Sequence, residues 1–217
     1  MAIKVITTKD GSKSLFLPDM NETYHSKFGA STESEHVYIQ SGYYFQQKTE
    51  LAILEIGFGT GLNVFLTAKA QQNDHRKIFY ESLEKYPLST DIIQELNNFN
   101  VPEDINLFQQ IHQIPWEAPY EIVPGFELKK RQVDLLDYIT EQKFDLVYFD
   151  AFAPDKQPEM WTPEVFNKLY QQMHPQGVLV TYSAKGSVRR TMQAVGFTVA
   201  RIPGPPGKRE MLRAVKN

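Results

Sequence analysis

A chain of 217 residues, 41% hydrophobic and 23% charged, has the size and composition of one soluble α/β domain and can bury a full core without staples. It contains no cysteine, which excludes disulfides, a thiolate zinc site and a cysteine nucleophile. A net charge of −3 argues against a generic nucleic-acid binder, and no apolar run approaches the roughly 18–20 residues of a membrane span.

Residues 3–7 and 14–17 read as two short strands around Asp10-Gly11, a hairpin signal. Residues 21–34 are polar and irregular and carry Tyr24, Ser26 and Glu33. A helix over 32–40 has Ser31 or Thr32 as its cap. This region is expected to form either a lid or platform beside a pocket, or a packing extension over a sheet edge. Residues 51–54 are the short apolar run of a buried parallel strand. Glu55 follows, then the turn Gly57-Phe58-Gly59-Thr60-Gly61, then helix-forming sequence over 62–70. A strand, a glycine turn and a helix cradle a nucleotide, because glycines let backbone N–H groups approach closely and the helix N-terminus presents unpaired donors. The dinucleotide spacing G-x-G-x-x-G is not met, since position 62 is Leu. A carboxylate at Glu55 also suits a cation and repels a pyrophosphate.

A second strand over 77–83 ends at Glu84. An acid there, some twenty residues past a glycine turn, accepts hydrogen bonds from ribose hydroxyls in nucleotide folds. Ser89 or Thr90 caps a helix running to 97, and a weaker helix covers 106–112. Residues 115–120 read as a connection rich in proline and aromatics. A third strand spans 126–133, with Asp134 capping a helix over 135–141. The fourth strand, 144–149, runs into Asp150, so Glu55, Glu84 and Asp150 are expected in one crevice at the carboxyl ends of the strands. Thr162 caps a helix over 163–173 with Pro163 at its first position. Strands over 178–182, 197–202 and 211–215 and a helix over 185–194 complete the chain. From 176 onward eight basic residues stand against one acid, a surplus of +7 that leaves −10 on the first 175 residues. Such asymmetry marks a polyanion contact or an ordinary solvated surface. The five histidines show no metal spacing and read as structural or surface residues, so no metal is expected.

The segment E-x-G-x-G-x-G from Glu55 to Gly61 resembles motif I of the class I S-adenosylmethionine (SAM) methyltransferases. Seven strands with helices between most of them match that layout: a Rossmann-like, mostly parallel sheet with an antiparallel last strand. The expectation is one domain over 1–217, with 1–45 an N-terminal extension and 46–217 the SAM-binding core. More specifically, the chain resembles the MnmC-like methyltransferase family, the methyltransferase half of a bacterial bifunctional tRNA wobble-uridine enzyme. The resemblance rests on Leu54-Glu55-Ile56-Gly57-Phe58-Gly59-Thr60-Gly61-Leu62-Asn63, on Glu84-Lys85-Tyr86-Pro87-Leu88, and on Phe149-Asp150-Ala151-Phe152-Ala153-Pro154 with Pro158, Met160 and Trp161. It rests also on Gly207-Lys208-Arg209-Glu210-Met211, and Tyr24, Ser26 and Glu33 look like the family's N-terminal signature.

The resemblance implies SAM as methyl donor. Glu55 would help hold its methionine ammonium, directly or through a bridging water, and Gly57, Gly59, Thr60, Gly61 and Asn63 would cradle it. Glu84 would take the ribose, and Val133 with Gln132 or Asp134 the adenine; Gln132 departs from the acid the family pattern suggests. The implied acceptor is the exocyclic amine of 5-aminomethyl(-2-thio)uridine at the tRNA wobble position. Asp150, which also borders the donor, would orient that amine and take its proton, beside an apolar wall of Phe152 and Pro154. Trp161 reads either as a stacking residue or as a core aromatic, and Tyr24, Ser26 and Glu33 fall on the substrate side. Lys185, Arg189, Lys208 and Arg209 would meet anticodon-stem phosphates. The family's flavin-dependent oxidase half does not fit in 217 residues, so a separate FAD-dependent oxidase is expected upstream. With no signal peptide or membrane segment visible, the cytoplasm is expected. Methylation of a pyrimidine C5 carbon is excluded, because it uses a cysteine. Two other readings stay open: a small-molecule amine methyltransferase or polyamine-synthase relative, and a non-catalytic SAM- or RNA-binding module.

Overall fold

A computed structural model describes residues 3–97, 99 and 101–217. The expected hairpin forms as β1 (Lys4–Thr7) and β2 (Lys13–Leu17), and β3 (Glu22–Thr23) adds a third antiparallel strand. Asp10 locks the turn, accepting from the Ser12 N–H at 3.1 Å, and ties it to α1 (Ala30–Ser34) by accepting from the Thr32 N–H at 3.0 Å. The expected helix over 32–40 is longer: α1 runs on as a wide π-type helix, Glu35–Tyr43. Gly42 in that stretch lets the helix lie on the sheet, since a Cβ there would sit 3.0 Å from Val180 Cγ2.

The central sheet is built on β4 (Glu50–Ile56), with β5 (Lys77–Glu84) parallel on one side and β8 (Phe144–Phe149) parallel on the other. Beyond β5 lie β7 (Phe126–Gln132) and β6 (Pro119–Val123); beyond β8 lie β9 (Met173–Thr181), β11 (Glu210–Lys216) and β10 (Phe197–Pro203). The last strand, β11, runs antiparallel to both of its neighbours, β10 and β9, as the sequence implies. Apolar residues fill both faces of the strands. Ile53, Tyr80, Leu146 and Tyr148 pack under α2 (Leu62–Asp74), α4 (Pro102–Gln113) and the π-type helix. Leu54, Val147, Phe149 and Leu179 pack under α5 (Pro163–Gln172) and α6 (Gly186–Ala194). Burial on both faces explains why these strands read as unbroken apolar runs rather than alternating ones.

Two further sequence expectations differ from the structure. The sheet has eight strands, because the proline-rich connection contains β6, antiparallel to β7. Pro119 opens that edge strand, where no ladder donor is needed, and its first three residues are exposed, so no apolar alternation betrays it. The helix expected over 135–141 is a single turn closed by the Tyr138 N–H on Asp134 O at 2.9 Å. That turn already buries Leu135 and Tyr138, while Leu136 and Ile139 stay exposed, so further turns would cover nothing. The short helix α3 (Thr90–Leu96) forms close to the expected bounds. Among the described residues no helix is long and apolar enough to cross a membrane.

Candidate functional site

The chain leaves β4 for β5 on one side and reaches β8 on the other, so a crevice opens where the carboxyl ends of these strands part. A cavity of about 440 Å³ occupies it. The glycine turn forms one side. The Gly57 and Phe58 N–H groups both donate to Leu83 O at 3.0 Å, tying the turn to β5. Gly57 (φ 93°) and Gly61 (φ 73°, the cap of α2) lie in the left-handed region, and a Cβ on Gly57 would stand 2.9 Å from Asp150 O. Glu84 accepts from the Gly59 N–H at 3.0 Å and from the Tyr86 N–H at 2.8 Å, which fixes its carboxylate at the cavity edge.

Asp150 lies at the bottom of the crevice. Its N–H donates to Ile56 O at 3.0 Å, and its Oδ2 accepts from Asn63 Nδ2 at 2.9 Å. Burial pushes its carboxyl up to about 6, against the opposing pull of its hydrogen-bond donors. The opposite wall comes from distant parts of the chain. Tyr24 lies over Gly59, with its ring edge-on to Phe152 at 5.2 Å between centroids. Glu33 accepts from the Ser26 N–H at 2.7 Å and from Lys208 Nζ at 2.7 Å. The Lys208 ammonium also sits 4.2 Å from the centre of the Tyr182 ring.

The structure thus gathers Tyr24, Ser26, Glu33, Asn63, Glu84, Asp150 and Phe152 around one cavity, with Gly57, Gly59, Thr60 and Val133. Of the alternatives at the end of β7, Asp134 lines the cavity, held by Lys85 Nζ at 2.8 Å, while Gln132 is exposed outside it.

Several expected residues lie elsewhere. Glu55 is one residue inside β4 rather than at its tip. Strand register sets it beside Ser82 and Tyr148, facing the helices, where it is 0% exposed and accepts from Ser82 Oγ at 2.5 Å. Trp161 is a core aromatic: its Nε1 donates to Phe152 O at 2.8 Å and its ring packs edge-on against Phe149. Gly61 and Pro154 are outside the lining, which takes Ala153 instead. Lys208 turns inward to Glu33 rather than outward to a phosphate. Lys185 pairs with Asp155, Arg189 is half-buried on α6, and Arg209 is exposed; none of the three lines the cavity. His25, read as structural or surface, does line it, and burial pushes its imidazole down to about 4. Tyr182 went unread in the sequence, although it follows β9 at the same carboxyl edge; its hydroxyl donates to Ala151 O at 2.9 Å. Among the described residues no cluster of His, Asp and Glu could hold a metal ion.

A mostly parallel sheet with a glycine turn after its central strand, an acid at the tip of the next strand and a second acid across the crevice defines the SAM-dependent methyltransferase class of α/β fold. A family model described as S-adenosyl-L-methionine-dependent methyltransferase matches residues 109–217, half of the chain, and the chain belongs to that family. Its donor is therefore SAM, and the residues fit: a glycine turn that lets the backbone approach a ligand closely, a fixed ribose-side carboxylate at Glu84 and a crevice of nucleoside dimensions. The chain is 27% identical over 215 residues to the tRNA 5-methylaminomethyl-2-thiouridine biosynthesis bifunctional protein MnmC of Paraburkholderia phymatum, covering 91% of this chain and 32% of that one. It is 29% identical over 220 residues to the protein of the same name from Pseudoalteromonas atlantica, covering 91% and 31%. It spans about a third of the length of these curated relatives. The crystal structure of MNMC2 from Aquifex aeolicus matches with a TM-score of 0.80 at 26% identity, over 98% of this chain and 70% of that one. These likenesses bear out the resemblance read from the sequence. Spermidine synthase from Thermotoga maritima, at TM-score 0.62 and 13% identity over 99% of this chain and 68% of that one, shares the fold alone.

Proposed function

We propose that this protein methylates the exocyclic amine of 5-aminomethyl(-2-thio)uridine at the wobble position of tRNA. The observation that carries the reading is Asp150, a carboxylate fixed by Asn63 at the bottom of the crevice with aromatic rings above it. The curated relatives, named for methylaminomethyl-thiouridine biosynthesis, supply the acceptor class.

SAM supplies an electrophilic methyl group on a sulfonium. The glycine turn and Glu84 orient the donor's ribose, and Val133 with Asp134 flanks its adenine. Asp150 accepts hydrogen bonds from the acceptor amine, aims its lone pair at the methyl group and takes the proton released as the N–C bond forms and the methyl–sulfur bond breaks, its electron pair leaving with sulfur as a neutral thioether. Tyr24 and Phe152 form the wall on which an extruded uracil stacks. Lys185, Arg189 and Arg209 meet tRNA phosphates outside the cavity. On this reading residues 46–217 are the SAM-binding core and 1–45 an extension that supplies the acceptor wall. A separate FAD-dependent oxidase provides the primary amine, and the reaction takes place in the cytoplasm.

The test is transfer of labelled methyl from SAM to tRNA lacking the terminal methyl, with free polyamine as the competing acceptor. Transfer to the tRNA alone is expected; transfer to polyamine alone would sink the reading. Asp150→Asn is expected to lower turnover by about 10²–10⁴-fold with SAM affinity nearly unchanged.

A further inference from the structure

Glu55 is a buried titratable group that the reaction above leaves without a task. It is fully occluded, lies outside the cavity lining and accepts one hydrogen bond, from Ser82 Oγ to its Oε2. Its Oε1 has no partner in the protein, and neither has Asn63 Oδ1 or the Tyr80 hydroxyl, all of them buried. The groups facing it are Ser82 and Tyr80 from β5, Tyr148 from β8, Asp150 just beyond β8, and Asn63 from α2. No Lys, Arg or His pairs with it among the described residues.

Asn63 is the link between the two acids. Its Nδ2 donates to Asp150 Oδ2 at 2.9 Å, and the same side chain is a hydrogen-bonding neighbour of Glu55. Two buried carboxyls sharing one amide, with no cation beside the inner one, repel each other, which favours a proton on one of them. Asp150 opens on the cavity and Glu55 does not, so the proton belongs on Glu55. A proton on Oε1 also provides a donor for the Asn63 carbonyl or the Tyr80 hydroxyl, which otherwise have none.

We propose that Glu55 is a positioning residue: a neutral, buried carboxylic acid that acts through Asn63 to hold the Asp150 carboxylate toward the acceptor amine, and does not touch the methyl donor. Burial, with the Asp150 charge beside it, pushes its carboxyl up to about 8 against the opposing pull of the hydrogen-bonding groups of Ser82, Asn63 and Tyr80, in keeping with a neutral acid at physiological pH. The proposal rests on the reading of Asp150 as the group that meets the amine, and it departs from the sequence expectation that Glu55 grips the methionine ammonium of SAM.

The test measures SAM affinity by calorimetry and methyl-transfer kinetics from pH 6 to 9. Glu55→Ala is expected to lower kcat by about tenfold or more while SAM Kd stays within about threefold. Glu55→Gln, a neutral isostere with its own donor, restores most of that kcat and removes the decline above pH 8 that ionisation of Glu55 imposes on the wild type. Ser82→Ala guards against a misfolded Glu55→Ala and is expected to lower kcat a few-fold without changing SAM Kd. A loss of SAM affinity of about tenfold or more in Glu55→Gln would make Glu55 a donor contact and overturn the proposal. So would an unchanged kcat in Glu55→Ala, or a Ser82→Ala variant altered in SAM affinity alone. If Asp150→Asn keeps full turnover, the acceptor reading itself falls, whereas the SAM affinity of Glu55→Gln still decides whether Glu55 meets the donor.

Discussion

The two walls of the crevice are built on different principles. On the proposed reading the donor side is mostly backbone, drawn from one continuous stretch and its neighbour strand: Gly57 and Phe58 bonded to Leu83 O, and Gly59 to the Glu84 carboxylate. The acceptor side is side chains from four separate places: the N-terminal extension, the residues after β8, the end of β9 and the β10–β11 loop. A single ion pair, Glu33 with Lys208, joins its first and last contributors across 175 positions. Backbone geometry tolerates few substitutions but is specified locally. A side-chain wall can be retuned residue by residue, and it exists only once the chain has folded.

The sharpest way to break that contrast is Gly57→Ala on the donor side. The residue sits at φ 93° with its added Cβ 2.9 Å from Asp150 O, so the turn must shift. Strain of about 1–3 kcal/mol at such a site predicts a loss of SAM affinity of roughly 5- to 150-fold, measurable by calorimetry. An unchanged affinity would mean that the donor does not depend on this backbone. The pH response comes next, and it probes the bottom of the crevice shared by both walls. With the Asp150 carboxyl raised to about 6, transfer should fall about tenfold per pH unit below that value as the acceptor of the proton is lost. The sign for stability is opposite. Asp150 and Glu55 both have folded-state values above their ordinary ones, so the native state binds more protons than the unfolded chain. Their stabilising contribution is full below the ordinary carboxyl range and is lost as pH rises through about 6 and about 8. Groups of opposite sign, such as His25, cancel between variants, so the Tm of the wild type relative to Glu55→Gln should fall as pH rises from 5 through about 8.

The smallest of these effects belongs to the acceptor wall. Lys208→Met leaves the Glu33 carboxylate with the Ser26 N–H alone, at a cost of about 1–2 kcal/mol in stability. Acceptor KM is expected to rise about tenfold with SAM Kd unchanged, read from steady-state kinetics and calorimetry side by side. A change in SAM Kd of similar size would mean that the two walls are not separable.

The same division accounts for what could be read without a structure. Glu84 and Asp150 were legible because a strand followed by a turn puts the next acid at the carboxyl edge, whatever the rest of the fold does. Tyr182 obeys the same rule and was passed over only because it is not an acid. Glu55 was misplaced because the difference between the tip of β4 and one residue inside it is a parity of the pleat, which flips the side chain to the other face. Trp161 kept both of its readings until its Nε1 found Phe152 O.

The sequence by itself determined most of the strand and helix order, the glycine turn with its SAM-type spacing, and the acids that end β5 and follow β8. Periodicity, glycine conformation and helix caps act over a few residues and are written in them. Only the tertiary structure decided that Lys208 turns in to Glu33 instead of out to solvent, that Asp134 rather than Gln132 borders the cavity, and that Glu55 lies behind the crevice. Those outcomes depend on burial and on partners far apart in the chain, and a charge or a carboxyl carries no local mark of which partner will reach it.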